Sequence, residues 1–347
     1  MLTEPERHRW LLITGAPRSG TTFLGNVLSL PREVNSLLEP FNPHGGIPWV
    51  KQRYLYVPRA AELTTEQRAH FEDFFRYRFV QRTYVHRGDS SWARWRKRIL
   101  FGSNVLAVWR AKLNPWAKVT LIKDPIAVFL TELLAELRPL VTFALVRHPL
   151  SYVGSLKRLN WDFRVTPLLE QPVLRERYLF DFDAEDGQSV SSLEAAAWTW
   201  LAVNRYLLDA AERQPALHLL SHEVLSEQPL SATRFCYERA GLNWTPRVER
   251  YVHGRTNSAN KPKPRQGVAH DLRRSSKDIF TESAGLLDAR ERDRVLAITE
   301  PLSRRLYARL DKPELSVEGA ALLTRDFAGR SPTAGAAQGA RPSGIEA

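Results

Sequence analysis

One cysteine in 347 residues, Cys236, excludes an internal disulfide framework and any metal site built on several thiolates. The simpler compartment is a reducing one, with the lone thiol expected as a small buried apolar group. No apolar run approaches the roughly 18 residues of a membrane-spanning helix. The run Trp10–Ile13, behind an N-terminus with charges of both signs, is too brief for a signal-peptide core. These absences predict a cytoplasmic protein. Acid is also scarce: 38 Asp and Glu face 50 Lys and Arg, a formal charge of +12. That surplus favours phosphate, sulfate, nucleic acid or an anionic surface as partner.

What is present is alternation. The apolar runs Trp10–Thr14, Val119–Ile122, Val141–Val146 and Leu217–Leu220 are each followed by a polar turn and a candidate helix. This order predicts an α/β fold with a central parallel sheet flanked by helices. Apolar residues three and four apart predict helices over Thr21–Leu30, Thr65–Phe79, Ile126–Leu137, Leu193–Glu212, Leu230–Gly241 and Ala289–Leu310. No repeat is present. One domain is expected over 1–313, with a helical basic insertion at about 60–115. A tail follows over 314–347, rich in Gly, Ala, Ser and Pro and expected to be disordered from about 328.

Ligands of parallel sheets gather at the carboxyl ends of the strands, so the residues just after each apolar run carry the chemistry. After the first run comes Gly15-Ala-Pro-Arg-Ser-Gly20, then Thr21 and Thr22 at a helix start. Strand, glycine turn and helix place free backbone N–H groups and the positive end of a helix dipole around one anion. The spacing is that of the nucleotide-triphosphatase loop, but Thr21 stands where that loop has its lysine. This weakens a kinase reading, and Arg18 is the replacement cation. After the third run, Arg147 and Ser155 lie eight apart around Pro149, a favoured first-turn residue. A guanidinium and a hydroxyl in that arrangement suit a second phosphate.

Together, Pro17-Arg18-Ser19-Gly20-Thr21-Thr22 and the Arg147/Ser155 pair resemble the sulfotransferases that use 3′-phosphoadenosine 5′-phosphosulfate (PAPS). The resemblance extends to Leu37-Leu38-Glu39-Pro40, to Lys123-Asp124-Pro125 and to a helix-rich C-terminal part, and so spans most of residues 10–310. It is closest to the carbohydrate-type branch and its bacterial relatives. It implies a P-loop nucleotide-kinase-like three-layer fold, PAPS as donor, 3′,5′-adenosine bisphosphate (PAP) as product, and no metal. By this likeness Arg18, Ser19, Gly20, Thr21 and Thr22 hold the 5′-phosphosulfate, and Arg147 and Ser155 the 3′-phosphate. Arg273 or Arg274 reaches that phosphate from the opposite side. Where the family often has a tyrosine near the adenine, this chain has His222.

Sulfuryl transfer needs a base for the acceptor proton and donors for the charge that develops on the sulfuryl and bridging oxygens. Glu39 is the expected general base, the alternative being a salt bridge to Arg18 or a turn cap. Arg18 is expected at the bridging or sulfuryl oxygens. Lys123 orients the sulfuryl group or the acceptor, or pairs with Asp124. His148 is a further conceivable base beside Arg147. The segment Arg76–Arg98, with eight basic residues and one acidic among Tyr77, Phe79, Tyr84, Trp92 and Trp95, suits a carbohydrate, a glycolipid or another hydroxyl acceptor, or a peripheral contact with an anionic membrane. Nucleic acid is not expected. Competing readings are a P-loop small-molecule kinase and a non-catalytic basic anion-binding module.

Overall fold

Five apolar runs make the sheet of the computed structural model, which describes residues 8–83, 103–183, 190–256 and 283–311. In chain order the first half of the elements are β1 (Arg9–Gly15), α1 (Thr21–Leu28), β2 (Val34–Leu38), α2 (Thr65–Phe75), α3 (Ser103–Leu113), β3 (Val119–Lys123), α4 (Thr131–Leu137), β4 (Leu140–Val146) and α5 (Pro149–Arg158). The second half are α6 (Thr166–Leu169), α7 (Pro172–Tyr178), α8 (Ser192–Arg213), β5 (Leu217–Ser221), α9 (His222–Glu227), α10 (Pro229–Arg239), α11 (Pro246–Thr256) and α12 (Ala289–Ala308). The strands lie in the order β2-β3-β1-β4-β5. Every pairing is parallel.

Successive side chains of a strand point to opposite faces, and β1 uses both. Leu11 and Ile13 join Leu24 and Val27 of α1 and Cys236 and Tyr237 of α10 in one core. Trp10 and Leu12 join Phe74 and Phe75 of α2 on the other face. That second face continues under β4, where Ala144 and Val146 pack with Trp200 and Tyr206 of α8 and Leu306 of α12. A sheet apolar on both faces and covered on both is the three-layer P-loop-like architecture expected. Burial pushes the Cys236 thiol well up, so it stays an uncharged apolar group.

Register brings the strand ends together. Leu38 pairs with Lys123, Gly15 with Leu145 and Val146 with Ser221, so all five carboxyl ends open on one edge. Two predicted helices end differently from expectation. The segment Ile126–Leu137 opens as a 3-10 helix over Ile126–Leu130 before α4, because the Asp124 carboxylate accepts the N–H groups of Ile126 (2.9 Å) and Ala127 (3.3 Å). Helix α2 stops at Phe75, four residues early, since Tyr77 is in the left-handed region at φ 56° and turns the chain away.

Among the described residues no helix is long and apolar enough to cross a membrane, and no group of three His, Cys, Asp or Glu is placed to hold a metal ion. The basic segment beyond position 83, Arg273 and Arg274 in the second basic stretch, and the tail from 314 lie outside the described residues.

Candidate active site

The loop after β1 turns on three left-handed residues. Gly15 has φ 126°, and a Cβ there would stand 2.2 Å from the Leu145 carbonyl oxygen, so no other residue fits beside β4. Arg18 follows at φ 72° and Gly20, which precedes α1, at φ 92°. Helix α1 has no side-chain cap and no acid in its first turn. By contrast α2, α8 and α12 each carry a full capping box, formed by Thr64/Gln67, Ser191/Glu194 and Asp288/Glu291. The first amides of α1 are thus left for a ligand, at the positive end of the helix dipole. The Ser19 hydroxyl in the same loop is fully buried without a hydrogen-bond partner among the described residues.

Arg147 ends β4 beside this loop. Its Nη1 donates to the Arg18 carbonyl (2.8 Å), its Nε to Ser151 Oγ (3.0 Å) and its Nη2 to Ser283 Oγ (3.1 Å). Its own carbonyl accepts from Trp200 Nε1 at 2.7 Å. Burial lowers its pKa to about 10, Glu223 opposing and Arg18 and Arg158 adding, so it remains a cation at neutral pH. Ser155, two turns along α5, is fully buried with its hydroxyl unpartnered among the described residues. Next to it, a Cβ on Gly154 would lie 1.9 Å from the Ser283 carbonyl oxygen, so α5 and the Ser283 segment are in backbone contact.

Glu39 and Lys123 meet at the other side of β1. The ladder ends on Leu38 and Lys123, and Glu39 N donates to the Lys123 carbonyl at 2.9 Å. A left-handed Glu39, φ 47°, turns its side chain back over that end. Lys123 Nζ lies 2.6 Å from Glu39 Oε1, and Asn42 Nδ2 donates to Oε2 at 2.9 Å. Glu39 therefore pairs with Lys123, and Lys123 with Glu39 rather than with Asp124. The Asp124 carboxylate instead takes three backbone N–H groups, those of Phe41 (2.7 Å), Ile126 and Ala127. Burial, with Glu39 adding, raises its pKa to about 7 against these hydrogen bonds and Lys123.

His222, at the start of α9, closes the loop from the β5 side. A Cβ on Gly20 would stand 3.1 Å from its Cδ2. Burial, then the charges of Arg147 and Arg18, hold the imidazole well below its usual pKa, so it is neutral there. The ring thus borders the loop and both arginines. His148 is buried, and burial followed by Arg147 lowers its pKa to about 3. Its Nδ1 accepts the Leu150 N–H at 3.3 Å, which makes it the cap of α5.

Strand, glycine loop, bare helix start and a buried arginine one strand away stand together at the carboxyl edge of the sheet. In sequence, residues 11–246 match the sulfotransferase family. The chain belongs to that family. The sulfotransferase is an enzyme, and membership implies a sulfuryl donor and a hydroxyl-bearing acceptor. Among curated protein sequences it has no match. Solved structures similar to it include the sulfotransferase domain of the Synechococcus PCC 7002 olefin synthase, 13% identical, covering 95% of this chain and 98% of that one with a TM-score of 0.40. Mycobacterium avium STF9 is 17% identical, with coverages of 82% and 78% and a TM-score of 0.37. Mouse SULT7A1 complexed with PAP is 11% identical, with coverages of 92% and 89% and a TM-score of 0.41.

Sequence reasoning named residues at all five strand ends of this sulfotransferase but missed what holds them. Ser151, Ser283 and Trp200 position Arg147. Glu223 accepts the His148 N–H (3.0 Å), Ser221 Oγ (2.7 Å) and Tyr307 OH (3.0 Å), tying the β4–α5 turn to β5 and α12. Only Ser151, four residues after Arg147, carried a local signal, because that spacing faces one side of a helix.

Proposed function

We propose that this sulfotransferase moves a sulfuryl group from PAPS to a hydroxyl of a carbohydrate or glycolipid in the cytoplasm. The observation that supports it most is the hydrogen bond from Arg147 to the Arg18 carbonyl, which sets two lobes, the loop after β1 and the end of β4 with α5, side by side at neighbouring strand ends. Buried hydroxyls at Ser19 and Ser155, one in each lobe and unpartnered among the described residues, fit a ligand with two anionic ends. The amides after Gly20, with Ser19, Thr21 and Thr22, hold the 5′-phosphate, and Arg147 with Ser155 holds the 3′-phosphate. His222 borders the adenosine. Arg273 and Arg274 are assigned to the 3′-phosphate on resemblance alone.

When bound, the donor supplies the sulfuryl group and PAP as leaving group. Glu39 is the general base. Its carboxylate starts paired with Lys123, and Lys123 swings from Oε1 to the sulfuryl oxygens as negative charge gathers there. Oε1 is then open to the acceptor proton, while Oε2 stays held by Asn42. Arg18 stabilises charge on the bridging oxygen. The acceptor oxygen bonds to sulfur as the bridging sulfur–oxygen bond breaks, and positioning supplies much of the acceleration.

Contact with an anionic membrane surface belongs to the same proposal. In its support, α3 turns Leu106, Trp109 and Leu113 outward, Trp116 follows, and Arg110, Lys112 and Lys118 accompany them with no acid from 103 to 118. The test of the function is transfer of labelled sulfuryl from PAPS to a panel of neutral and acidic sugars and glycolipids. Label should enter at least one of them with wild type, and roughly 10²–10⁴-fold more slowly with Glu39→Gln. Transfer by the variant at wild-type rate contradicts the assignment of the base.

A further inference from the structure

Among the described residues two buried phenols, Tyr54 and Tyr152, meet no well-formed hydrogen-bond partner, and the nearest polar group to that of Tyr54 is the Arg53 guanidinium. Tyr54 is 2% exposed and Tyr152 is 0% exposed. Both share one core cluster with Ala16 of the loop and with Phe163. Tyr152 lies on α5, between Arg147 and Ser155, and its ring is 6.4 Å from that of Phe163. The Arg53 guanidinium is 5.2 Å from the Tyr54 ring and 5.7 Å from the Phe163 ring, so it lies against Tyr54 and against the ring that meets Tyr152.

The backbone here is forced. Tyr54 has φ 60°, a conformation costly for a bulky side chain. Gln171 enforces it: Nε2 donates to the Tyr54 carbonyl (2.9 Å) and to the Pro167 carbonyl (3.0 Å), and Oε1 accepts the Tyr56 N–H (2.9 Å). A clamp that holds a strained residue with its buried hydroxyl turned toward a guanidinium, donor beside donor, is explained by an acceptor that both of them meet. Burial raises both phenol pKa values, so each keeps its proton and donates, and the Arg53 charge acts on both.

We propose that Arg53, Tyr54 and Tyr152 form a subsite for a negatively charged oxygen group. The set offers a guanidinium and two phenolic donors, which matches an oxyanion. Its two sources are the sulfuryl group of the donor and an acidic substituent on the acceptor. The inference rests on the sulfotransfer reading and adds to it the residues that meet this charge.

The test uses Tyr54→Phe and Tyr152→Phe, with Arg53→Gln as a third variant because it alters a half-buried side chain. Thermal denaturation should place both Phe variants at or above wild type, since an apolar replacement leaves no orphaned hydroxyl. Calorimetric titration should give PAP affinities within about twofold of wild type. If the donor is the source, PAPS binds the variants roughly tenfold or more weakly. If the acceptor is the source, PAPS is unchanged and glucuronic acid, titrated into PAP-loaded protein against glucose as control, is weakened by the same order. Where wild type binds no glucuronic acid, the donor arm alone decides. Wild-type affinity for PAPS and for glucuronic acid in all three variants overturns the subsite while leaving sulfotransfer standing. Failure of wild type to bind PAP overturns the reading beneath it.

Discussion

Arg147 Nη1 donates a 2.8 Å hydrogen bond to the carbonyl of Arg18, so the arginine that ends β4 fixes a left-handed residue of the loop that ends β1. A side chain assigned to one phosphate thereby sets the backbone that meets the other. Under the proposed function one guanidinium would thus couple the two lobes; Ser151 and Ser283 hold that guanidinium, and Trp200 holds the Arg147 carbonyl.

Replacing Arg147 with alanine should weaken PAP roughly 10- to 100-fold, since hydrogen bonds to a charged group are lost. Adenosine 5′-phosphosulfate, which lacks the 3′-phosphate, should lose less. Arg147→Lys should not restore binding, because an ammonium cannot serve Arg18, Ser151 and Ser283 at once. Calorimetric titration with both nucleotides checks this, and equal losses count against the assignment.

Gly154→Ala sets helix propensity against contact. In an unhindered helix the change gains up to about 1 kcal/mol. Here the Cβ would meet the Ser283 carbonyl oxygen at 1.9 Å, so the variant should lose stability and, through the displaced Ser283 hydroxyl, PAP affinity. Urea denaturation and a PAP titration on the same variant read both effects.

Glu39→Gln should keep PAP binding within about twofold and lower turnover by roughly 10²–10⁴, the range for loss of a general base. Lys123→Met should also lower turnover with PAP binding kept, because the sulfuryl oxygens lose their cation. Steady-state rates beside a PAP titration of each variant check both.

Asp124 carries a pH signature in stability. Its folded pKa is raised to about 7 against an ordinary 3.8, so folding favours its protonated form. That contribution is fully present below about pH 4 and is lost as pH rises through 7. Asp124→Asn should flatten this fall between about pH 4 and 7. It should also lower overall stability, because an amide cannot accept from Phe41, Ile126 and Ala127 together. Urea titrations of both proteins at several pH values decide it.

Much of this architecture was legible before any coordinates. Strands appeared as apolar runs because a sheet covered on both faces needs them, and the loop from Gly15 to Thr22 named itself by spacing. Strand order did not appear, and with it went the Lys123–Glu39 pair, which exists only because β2 and β3 are neighbours. Helix α3 lies inside the helical insertion expected at about 60–115, but its bounds were not legible, since Leu106, Trp109 and Leu113 on its outer face blur the period set by Val105, Val108 and Ala111 on its inner one. The left-handed turns at Arg18, Glu39 and Tyr54 carry no glycine to announce them. Distant partners hold at least two of these, Arg147 for Arg18 and Gln171 for Tyr54.

The central claim is that one adenine nucleotide is gripped at both anionic ends by loops on adjacent strands. Thermal stabilisation of the wild type by PAP, compared with ATP and magnesium, tests it most directly. A shift of several degrees with PAP, small with ATP–magnesium and abolished in Arg147→Ala, is the result expected. A larger shift with ATP–magnesium, or none with either, contradicts it.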